Sequence, residues 1–212
     1  YINGPRVIST PEGSAYLKVA EGCDNRCAFC AIPHIRGNMR SRKLEVLLEE
    51  AKRLAAEGVR EVNLIAQDTT KYGRDLYGKP RLAELLEGLS QIDGLEMVRV
   101  LYLYPDEITP ELIKVMAGSR NFVHYIALPL QHISARVLRS MRRRGTPEDI
   151  RAKIAALREA MPDCIVRTSF IVGFPGETEE DFQELLDFVE ENRFERVGVF
   201  MFSPEEGTPA VS

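Results

Sequence analysis

The sequence predicts an α/β fold, a partial (β/α)6 barrel of the TIM type that stays open, and three observations support this fold class. Short apolar segments of strand character alternate six times with helical segments along the 212 residues, as in parallel strands joined by helical crossovers. The last three apolar segments are nearly continuous, which is typical of strands covered on both faces. A closed eight-stranded barrel usually takes about 250 residues, so six units in this length indicate an open barrel. A doubly wound open sheet is the alternative.

Three strand–helix units occupy the first half of the chain. The predicted strands are residues 15–20, 61–66 and 97–104. The first helix has an apolar stripe at helical spacing and ends at Gly58, a residue type that commonly terminates helices. This stripe consists of Leu44, Leu47, Leu48, Ala51, Leu54 and Ala55. The stripe of the second helix consists of Leu82, Leu85, Leu86 and Leu89. The third helix has Pro110 in its first turn, where a missing amide hydrogen is tolerated.

The second half of the chain continues this pattern. The predicted strands are residues 122–130, 164–173 and 196–202. A short helix near residues 135–142 precedes a longer one, which begins with Thr146 as N-cap and Pro147 at the first helical position. The last helix is amphipathic, and its predicted buried side chains are Phe182, Leu185, Leu186 and Val189.

Composition and charge indicate a globular protein and exclude some function classes. Hydrophobic residues make up 44% and charged residues 28% of the chain, which is ordinary for a soluble domain, and no run of about 18 apolar residues predicts a membrane span. The formal net charge of −4 argues against binding through bulk positive charge, so nucleic-acid contact is not expected. Residues 15–212 are predicted to form one core domain. Residues 1–14 are interpreted as an extended leader from a preceding domain, because the chain does not begin with methionine.

Three of the four cysteines lie in the segment "EGCDNRCAFC", where Cys23, Cys27 and Cys30 have the spacing CxxxCxxC. Thiolates are soft ligands that suit iron–sulfur clusters, zinc or copper(I). Electron-transfer clusters use four cysteines, whereas an open coordination position marks a catalytic metal site. Three cysteines therefore favour a 4Fe–4S cluster with one open iron. A structural zinc site with His34 as the fourth ligand is one alternative, and a reactive thiol pair or a set of buried cysteines is another. The clustering also indicates a reducing compartment, the cytoplasm.

The cysteine segment resembles a known signature. The spacing CxxxCxxC with an aromatic residue, Phe29, before the last cysteine is similar to the signature of the radical S-adenosylmethionine superfamily, whose partial (β/α)6 barrel agrees with the predicted fold. The segments "PLQHIS", "SMRRRGTPED", "SFIVGFPGETEEDF" and "FSPEEGTPA" extend the resemblance over nearly the whole chain, to the methylthiotransferase family. The N-terminal and C-terminal flanking domains of that family are expected to lie outside these residues.

The resemblance implies two cofactors and an enzymatic activity. Cys23, Cys27 and Cys30 would ligate a 4Fe–4S cluster whose open iron binds S-adenosylmethionine. Reductive cleavage of S-adenosylmethionine would then give methionine and a 5′-deoxyadenosyl radical, which abstracts hydrogen from the substrate for methylthiolation. A reductant protein such as a flavodoxin is the implied electron donor.

The family has two main branches, one acting on tRNA adenosine and the other on an aspartate of a small-subunit ribosomal protein. The tRNA branch usually has asparagine after the glutamine that ends the second strand, whereas this chain has Asp68 there. The segments "AQDTTKYGRDLYG" and "YLYPDEIT" resemble the ribosomal-protein branch, so a ribosomal protein is the expected substrate. A tRNA adenosine methylthiotransferase is the first alternative, and a zinc-stabilised binding module is the alternative from another class.

Candidate cofactor-binding residues follow the predicted strands, since ligands of such barrels bind at the carboxyl ends of the strands. By resemblance, Gln67 and Asp68 would hold the amino group of S-adenosylmethionine, because an ammonium group needs acceptors. Gln131 would bind its ribose hydroxyls. The alternative for Gln67 and Asp68 is that they cap a turn. The alternative for Gln131 is that it is a polar strand-end residue without a ligand.

Three further candidates lie on the last two predicted strands. Arg167 would pair with the methionine carboxylate, and a structural ion pair is the alternative. Gly173 would let the backbone approach the nucleoside closely. Phe202 would lie along the adenine, and membership of the apolar core is its alternative.

Overall fold

Six parallel strands form a curved sheet whose outer face is covered by helices. The computed structural model describes residues 7–211. In chain order the strands are β1 (Ser14–Lys18), β2 (Ala20–Glu21), β3 (Arg40–Ser41), β4 (Glu61–Ile65), β5 (Met97–Val100), β6 (Tyr125–Ala127), β7 (Ile165–Val172) and β8 (Arg196–Met201). The α-helices are α1 (Ile32–Arg36), α2 (Leu44–Ala56), α3 (Arg74–Tyr77), α4 (Leu82–Ser90), α5 (Pro110–Gly118), α6 (Ala135–Ser140), α7 (Pro147–Ala160) and α8 (Glu179–Asn192). Short 3-10 helices cover Pro105–Glu107 and Pro209–Val211.

The parallel strands follow one another across the sheet in chain order. β1, β4 and β5 pair in parallel, as do β6, β7 and β8. A parallel bridge between Val98 and Phe122 joins the two halves, and the amide of Val123 donates to the Val98 carbonyl at 2.9 Å. Among residues 7–211, β1 and β8 have no parallel partner on their outer edges, so the barrel is open between them. The predicted partial (β/α)6 barrel is confirmed.

The helix starts and ends that were predicted from neighbouring residues are confirmed, as is part of the predicted apolar stripe of α2. α2 buries part of its predicted stripe, namely Leu47, Ala51, Leu54 and Ala55. Gly58 follows this helix with a φ of +97°, a left-handed conformation that glycine adopts without strain. Thr146 caps α7 in a capping box with Asp149, in which each side chain satisfies an amide that the helix terminus leaves free.

Two predicted strands are shorter than expected. β5 ends at Val100 rather than at Tyr104, because Tyr102 has a left-handed φ of +63° that interrupts the extended backbone. β6 is only three residues long, and it is followed closely by Pro129, which has no amide hydrogen to donate to a strand ladder. The residues beyond both strands form irregular loops at the carboxyl end of the barrel.

Two predictions of burial are wrong. β8 is not covered on both faces, since Val199, Phe200 and Met201 are 60%, 61% and 86% exposed. This strand forms the open edge of the barrel, and its apolar run has the same pattern as that of a covered strand. On α8, Leu186 is exposed and Phe188 is buried in the core instead. The buried face of this helix is rotated about the helix axis by roughly one residue relative to the predicted face.

The apolar core lies between the helices and the strand residues that point towards them. Leu17, Leu64 and Val100 are fully buried in this core. Alternate residues of the same strands point to the inside of the barrel and include polar pairs, such as Arg99 with Glu61 at 3.0 Å. The inside of the barrel is therefore suited to polar ligands.

The predicted leader falls partly outside the described residues. Residues 1–6 are not described, and residues 7–13 precede β1 without a helix or strand. No helix within residues 7–211 is long and apolar enough to cross a membrane.

Candidate functional site

A cavity of about 380 Å³ lies at the carboxyl ends of the barrel strands. Its wall includes six of the residues predicted from the sequence: Cys23, Cys27, Cys30, Gln67, Gln131 and Arg167. Apolar side chains line another part of the wall, among them Ala127, Leu128 and Phe200. The barrel thus brings three thiols, two amides and a guanidinium together around one space of ligand size.

The cysteine loop, defined here as residues 21–31, is fixed to the barrel by backbone hydrogen bonds. The amide of Cys23 donates to the carbonyl of Gly37 at 3.1 Å. The amide of Ala28 donates to the carbonyl of Met141 at 2.9 Å. The loop is therefore held both by the segment that follows it and by the turn after α6.

Asp68 does not line the cavity but supports the cysteine loop. Its side chain is buried and accepts a hydrogen bond from the amide nitrogen of Asn25 at 2.7 Å. Lys71 donates to the side-chain oxygen of Asn25, so both ends of that amide are bound. Lys71 and Asp68 lie 3.9 Å apart and compensate each other's charge. The neighbouring Gln67 reaches the cavity instead.

Burial changes the acidity of two thiols in the loop. Burial raises the pKa of both Cys23 and Cys30. A backbone hydrogen bond, from Asn25 to Cys23 and from Ile32 to Cys30, lowers each pKa by less than burial raises it. As free thiols these two cysteines therefore remain protonated at neutral pH. A metal centre that binds them must displace their protons.

The donor set fits an iron–sulfur cluster better than a single metal ion. A tetrahedral zinc site places its sulfur ligands about 3.8 Å apart, and no three His, Cys, Asp or Glu side chains among residues 7–211 are grouped to bind one ion. A cluster spreads its thiolates over separate irons, and Cys23, Cys27 and Cys30 border a shared cavity. His34 is exposed and lines a different cavity of about 470 Å³, next to Cys27 and Cys30. His34 therefore does not share the main cavity with the three cysteines.

Two further cavity residues, which are not among the predicted cofactor-binding residues, lie beside Cys27. The Tyr104 hydroxyl is 3.9 Å and the Arg143 Nη1 is 4.0 Å from the Cys27 sulfur. The Arg143 guanidinium stacks 3.9 Å above the centroid of the Tyr104 ring. Burial raises the pKa of Tyr104, against the opposing charge of Arg143, so the hydroxyl keeps its proton and can donate it. Two features of the sequence could have indicated these residues: Tyr104 ends a predicted strand, and Arg143 belongs to the arginine run "RRR".

Backbone strain is concentrated near the cysteine loop. Five non-glycine residues have a positive φ in the described chain, and four of them line one of the two cavities. Tyr102 and Gln131 line the main cavity, whereas Arg26 and Arg142 line the second one. Such conformations cost about 1–3 kcal/mol each and are typical of functional sites. The amide of Gln131 donates to the Ser169 carbonyl at 2.8 Å, which holds this residue in the cavity wall.

Gly173 and Phe202 lie outside the cavity wall. Gly173 has a φ of +71°, and no heavy atom lies within 4 Å of the position that a Cβ atom would take there. Phe202 packs edge-on against Phe174, with ring centroids 5.2 Å apart. Phe200, two positions earlier along the chain, lines the cavity instead.

Arg167 reaches the cavity without an ionic partner. Within the described part of the chain, no carboxylate lies at ion-pair distance from its guanidinium. Arg99, on β5, differs because it is paired with Glu61. The structural ion pair considered for Arg167 is therefore not present among residues 7–211, and its guanidinium can bind an anionic ligand.

A buried histidine directly follows Gln131. His132 is fully buried, and its Nδ1 accepts a hydrogen bond from the amide of Ser134 at 3.0 Å, so the ring proton is on Nε2. Nε2 lies 3.6 Å from the Glu177 carboxylate, beyond hydrogen-bond distance, and has no hydrogen-bond partner among residues 7–211. Burial lowers the pKa of His132, against the attraction of Glu177. The folded protein therefore holds this residue neutral at pH 7.

We expect the free energy of unfolding to decrease when the pH is lowered from about 7 to about 5.5. The unfolded chain binds a proton at His132 near the ordinary value of 6.5, whereas the folded protein binds it only at lower pH. The unfolded state then holds more protons, so stability rises with pH in this range, by at most about 1.4 kcal/mol per pH unit. Urea unfolding at several pH values measures the slope. His132→Gln should make it shallower, and an unchanged slope in that variant would contradict the expectation.

Comparison with known proteins identifies the family of this barrel. The model of the radical SAM superfamily matches residues 17–189, so the chain belongs to the radical SAM superfamily. The chain is 57% identical over 208 residues to the ribosomal protein uS12 methylthiotransferase RimO of Desulforamulus reducens, a match that covers 98% of this chain and 47% of that protein. It is 56% identical over 206 residues to the RimO of Clostridioides difficile, covering 97% of this chain and 46% of that protein. The chain thus spans about half the length of these relatives.

A solved structure agrees with the fold. It is the radical S-adenosylmethionine methyltransferase TsrM from Kitasatospora setae, with cobalamin and a [4Fe-4S] cluster bound. The match has a TM-score of 0.80 and covers 98% of this chain and 42% of that chain, at 18% sequence identity. At this identity the similarity shows the fold alone, which is the partial TIM-like barrel of radical SAM enzymes.

Proposed function

We propose that this chain is the core of a radical SAM methylthiotransferase that modifies an aspartate of the small-subunit ribosomal protein uS12. The observation that carries the proposal is that Cys23, Cys27 and Cys30 line one cavity at the carboxyl end of the barrel. The 57% identity to a uS12 methylthiotransferase supports the choice of substrate. Because the chain spans about half of that relative, we assign radical generation to these residues and do not assign sulfur delivery to them.

The proposed ligand set follows from the cavity wall. Cys23, Cys27 and Cys30 would hold a 4Fe–4S cluster, which supplies an open iron for S-adenosylmethionine and the electron that cleaves its C–S bond. Gln67 and Gln131 offer amide oxygens that accept hydrogen bonds from the amino group and the ribose hydroxyls. The apolar wall formed by Ala127, Leu128 and Phe200 would contact the adenine and exclude water from the reacting carbon. Gly173 and Phe202 lie outside the wall and are not part of this set.

We expect Arg167→Met to weaken the binding of S-adenosylmethionine. The guanidinium would donate charge-assisted hydrogen bonds to the methionine carboxylate, each contributing about 1.5–3 kcal/mol, so the dissociation constant should rise about tenfold or more. Equilibrium binding to the reconstituted protein measures this constant. Arg196→Met is the matched control, because Arg196 lies opposite Arg167 on the neighbouring strand and does not line the cavity. Equal affinities of the two variants would reject the assignment.

The proposed partners are uS12 as the substrate and a reductant protein such as a flavodoxin as the electron donor, which would place the reaction in the cytoplasm. The tRNA adenosine alternative is not favoured, because both relatives described above are uS12 methylthiotransferases. Mass spectrometry of purified uS12 and of tRNA, each incubated with an enzyme that combines this core with the sulfur-delivering part, decides between the two substrates. A methylthio group found on tRNA and not on uS12 would contradict the assignment of a ribosomal protein as the substrate.

Anaerobic reconstitution with iron and sulfide tests the proposed chemistry. The expected results are the optical and EPR spectra of a 4Fe–4S cluster, and formation of 5′-deoxyadenosine after S-adenosylmethionine and dithionite are added. One zinc per chain without iron–sulfur absorption would indicate the zinc-stabilised binding module instead.

A further inference from the structure

Cys27 has a different environment from the other two cysteines of the loop. Its sulfur lies near the hydroxyl of Tyr104, at 3.9 Å, and near Nη1 of Arg143, at 4.0 Å. The sulfur of Cys23 accepts a hydrogen bond from a backbone amide, that of Asn25, at 3.5 Å. In the described chain, side-chain hydrogen-bond donors reach only the sulfur of Cys27.

Both donors are held in place by contacts of their own. Arg143 donates from Nη2 to the carbonyl of Pro129 at 2.5 Å and stacks on the ring of Tyr104. Tyr104 is 5% exposed, and its amide donates to the hydroxyl of Thr70 at 3.2 Å. The two donors are therefore oriented towards the sulfur by the protein itself, which is the arrangement expected of residues that support a ligand.

We propose that Arg143 and Tyr104 are positioning residues that hydrogen-bond to the Cys27 thiolate when it ligates the cluster, and that they raise the reduction potential of the cluster. This inference rests on the proposed function, because it requires a cluster at these cysteines. On reduction one electron passes from the reductant to the cluster and no proton is transferred, so the reduced state carries one more negative charge. Hydrogen bonds and positive charge at a ligating sulfur stabilise that state more than the oxidised one.

A purely structural role is the alternative explanation for the same contacts. The stacked pair joins the turn after α6 to the loop after β5, so it could serve only to hold those segments together. A structural role would change protein stability or cluster content. It would leave the reduction potential of a properly loaded cluster unchanged.

An EPR-monitored redox titration of the reconstituted protein distinguishes the two roles. Tyr104→Phe removes the hydroxyl and keeps the ring, whereas Arg143→Met removes the charge and keeps most of the side-chain length. We expect both variants to have lower midpoint potentials than the wild type. In Arg143→Met, the ratio of reduced to oxidised cluster at the wild-type midpoint should fall about tenfold, equivalent to about 59 mV for one electron. Arg143→Lys should recover part of the loss because it retains the charge.

The matched control is Arg139→Met, which removes an exposed arginine of α6 that does not line the cavity. It should keep the wild-type potential. Wild-type potentials in both Tyr104→Phe and Arg143→Met would overturn the proposal. A wild-type potential in Tyr104→Phe together with an Arg143→Met protein that retains no cluster would also overturn it, because a structural role gives that result.

The proposed function is tested separately in the same preparation. If the wild-type protein forms no 5′-deoxyadenosine with dithionite, the proposed function itself fails. If it forms 5′-deoxyadenosine normally and the potentials of the variants are unchanged, only the role of Arg143 and Tyr104 is rejected.

Discussion

Replacing Cys27 with alanine is expected to abolish the formation of 5′-deoxyadenosine from S-adenosylmethionine. The variant leaves two thiolates, Cys23 and Cys30, at a cluster for which the proposed function needs three. Substitution of residues that only support metal ligands typically costs about 10–100-fold in metal affinity or activity, so the loss of a ligand should cost more than about 100-fold. Iron content and chromatography of the reaction products measure the effect.

Cys164→Ala is the matched control, because it makes the same chemical change elsewhere in the chain. Cys164 is 5% exposed, belongs to the apolar core and does not line the cavity. We expect this variant to bind iron and form product at the wild-type level. Wild-type product formation by Cys27→Ala would reject Cys27 as a ligand, whereas equal losses in both variants would indicate a general folding defect.

Gly22→Ala is expected to have the largest effect on the shape of the cysteine loop. Gly22 has a φ of +78°, and a Cβ atom there would lie 2.3 Å from the Asn38 carbonyl oxygen and 2.6 Å from that of Gly37. Both contacts are with backbone, which cannot rotate away. Because the amide of Cys23 donates to the same Gly37 carbonyl, relief of the clash would displace the first cysteine.

The expected cost of Gly22→Ala has two parts. A left-handed conformation costs an alanine roughly 1–2 kcal/mol, and overpacking costs about 1–3 kcal/mol more. Gly13→Ala isolates the first part, because Gly13 has a φ of +86° and nothing within 4 Å of the added atom. Urea unfolding of both variants and the iron content after reconstitution measure the difference. Equal destabilisation, with full iron content in both, would show that the close approach at Gly22 has no consequence for the loop.

The parts of the fold that local signals encode were predicted correctly. The six strand–helix units follow from alternating apolar segments, and the start of α7 follows from Thr146 and Pro147. The sequence also predicts that Cys23, Cys27 and Cys30 lie close together, because their spacing keeps them within one short loop, and all three line one cavity. Each of these features depends on residues close together in the chain, so a single sequence contains the necessary information.

Features that depend on long-range packing were missed. Tyr104 and Arg143 are 77 and 116 positions from Cys27, and no spacing rule connects them to the cysteine loop. Asp68 is predicted to contact the cofactor, whereas in the structure it does not line the cavity and accepts a hydrogen bond from Asn25, which does. The exposure of β8 was missed for a related reason, since an apolar run does not reveal which strand lies at the open edge of a barrel.

The sequence by itself determined the number and order of the strand–helix units, the three clustered thiols and the resemblance to the radical SAM superfamily. Only the tertiary structure decided which polar residues share a cavity with those thiols. It placed Gln67, Gln131 and Arg167 in the wall, and it left Gly173 and Phe202 outside. The physical reason is that the curvature of the sheet and the left-handed backbone at residues such as Gln131 set the direction of these side chains. Both features depend on hydrogen bonds between segments that are distant in the chain, such as the bridge between Gln131 and Phe170.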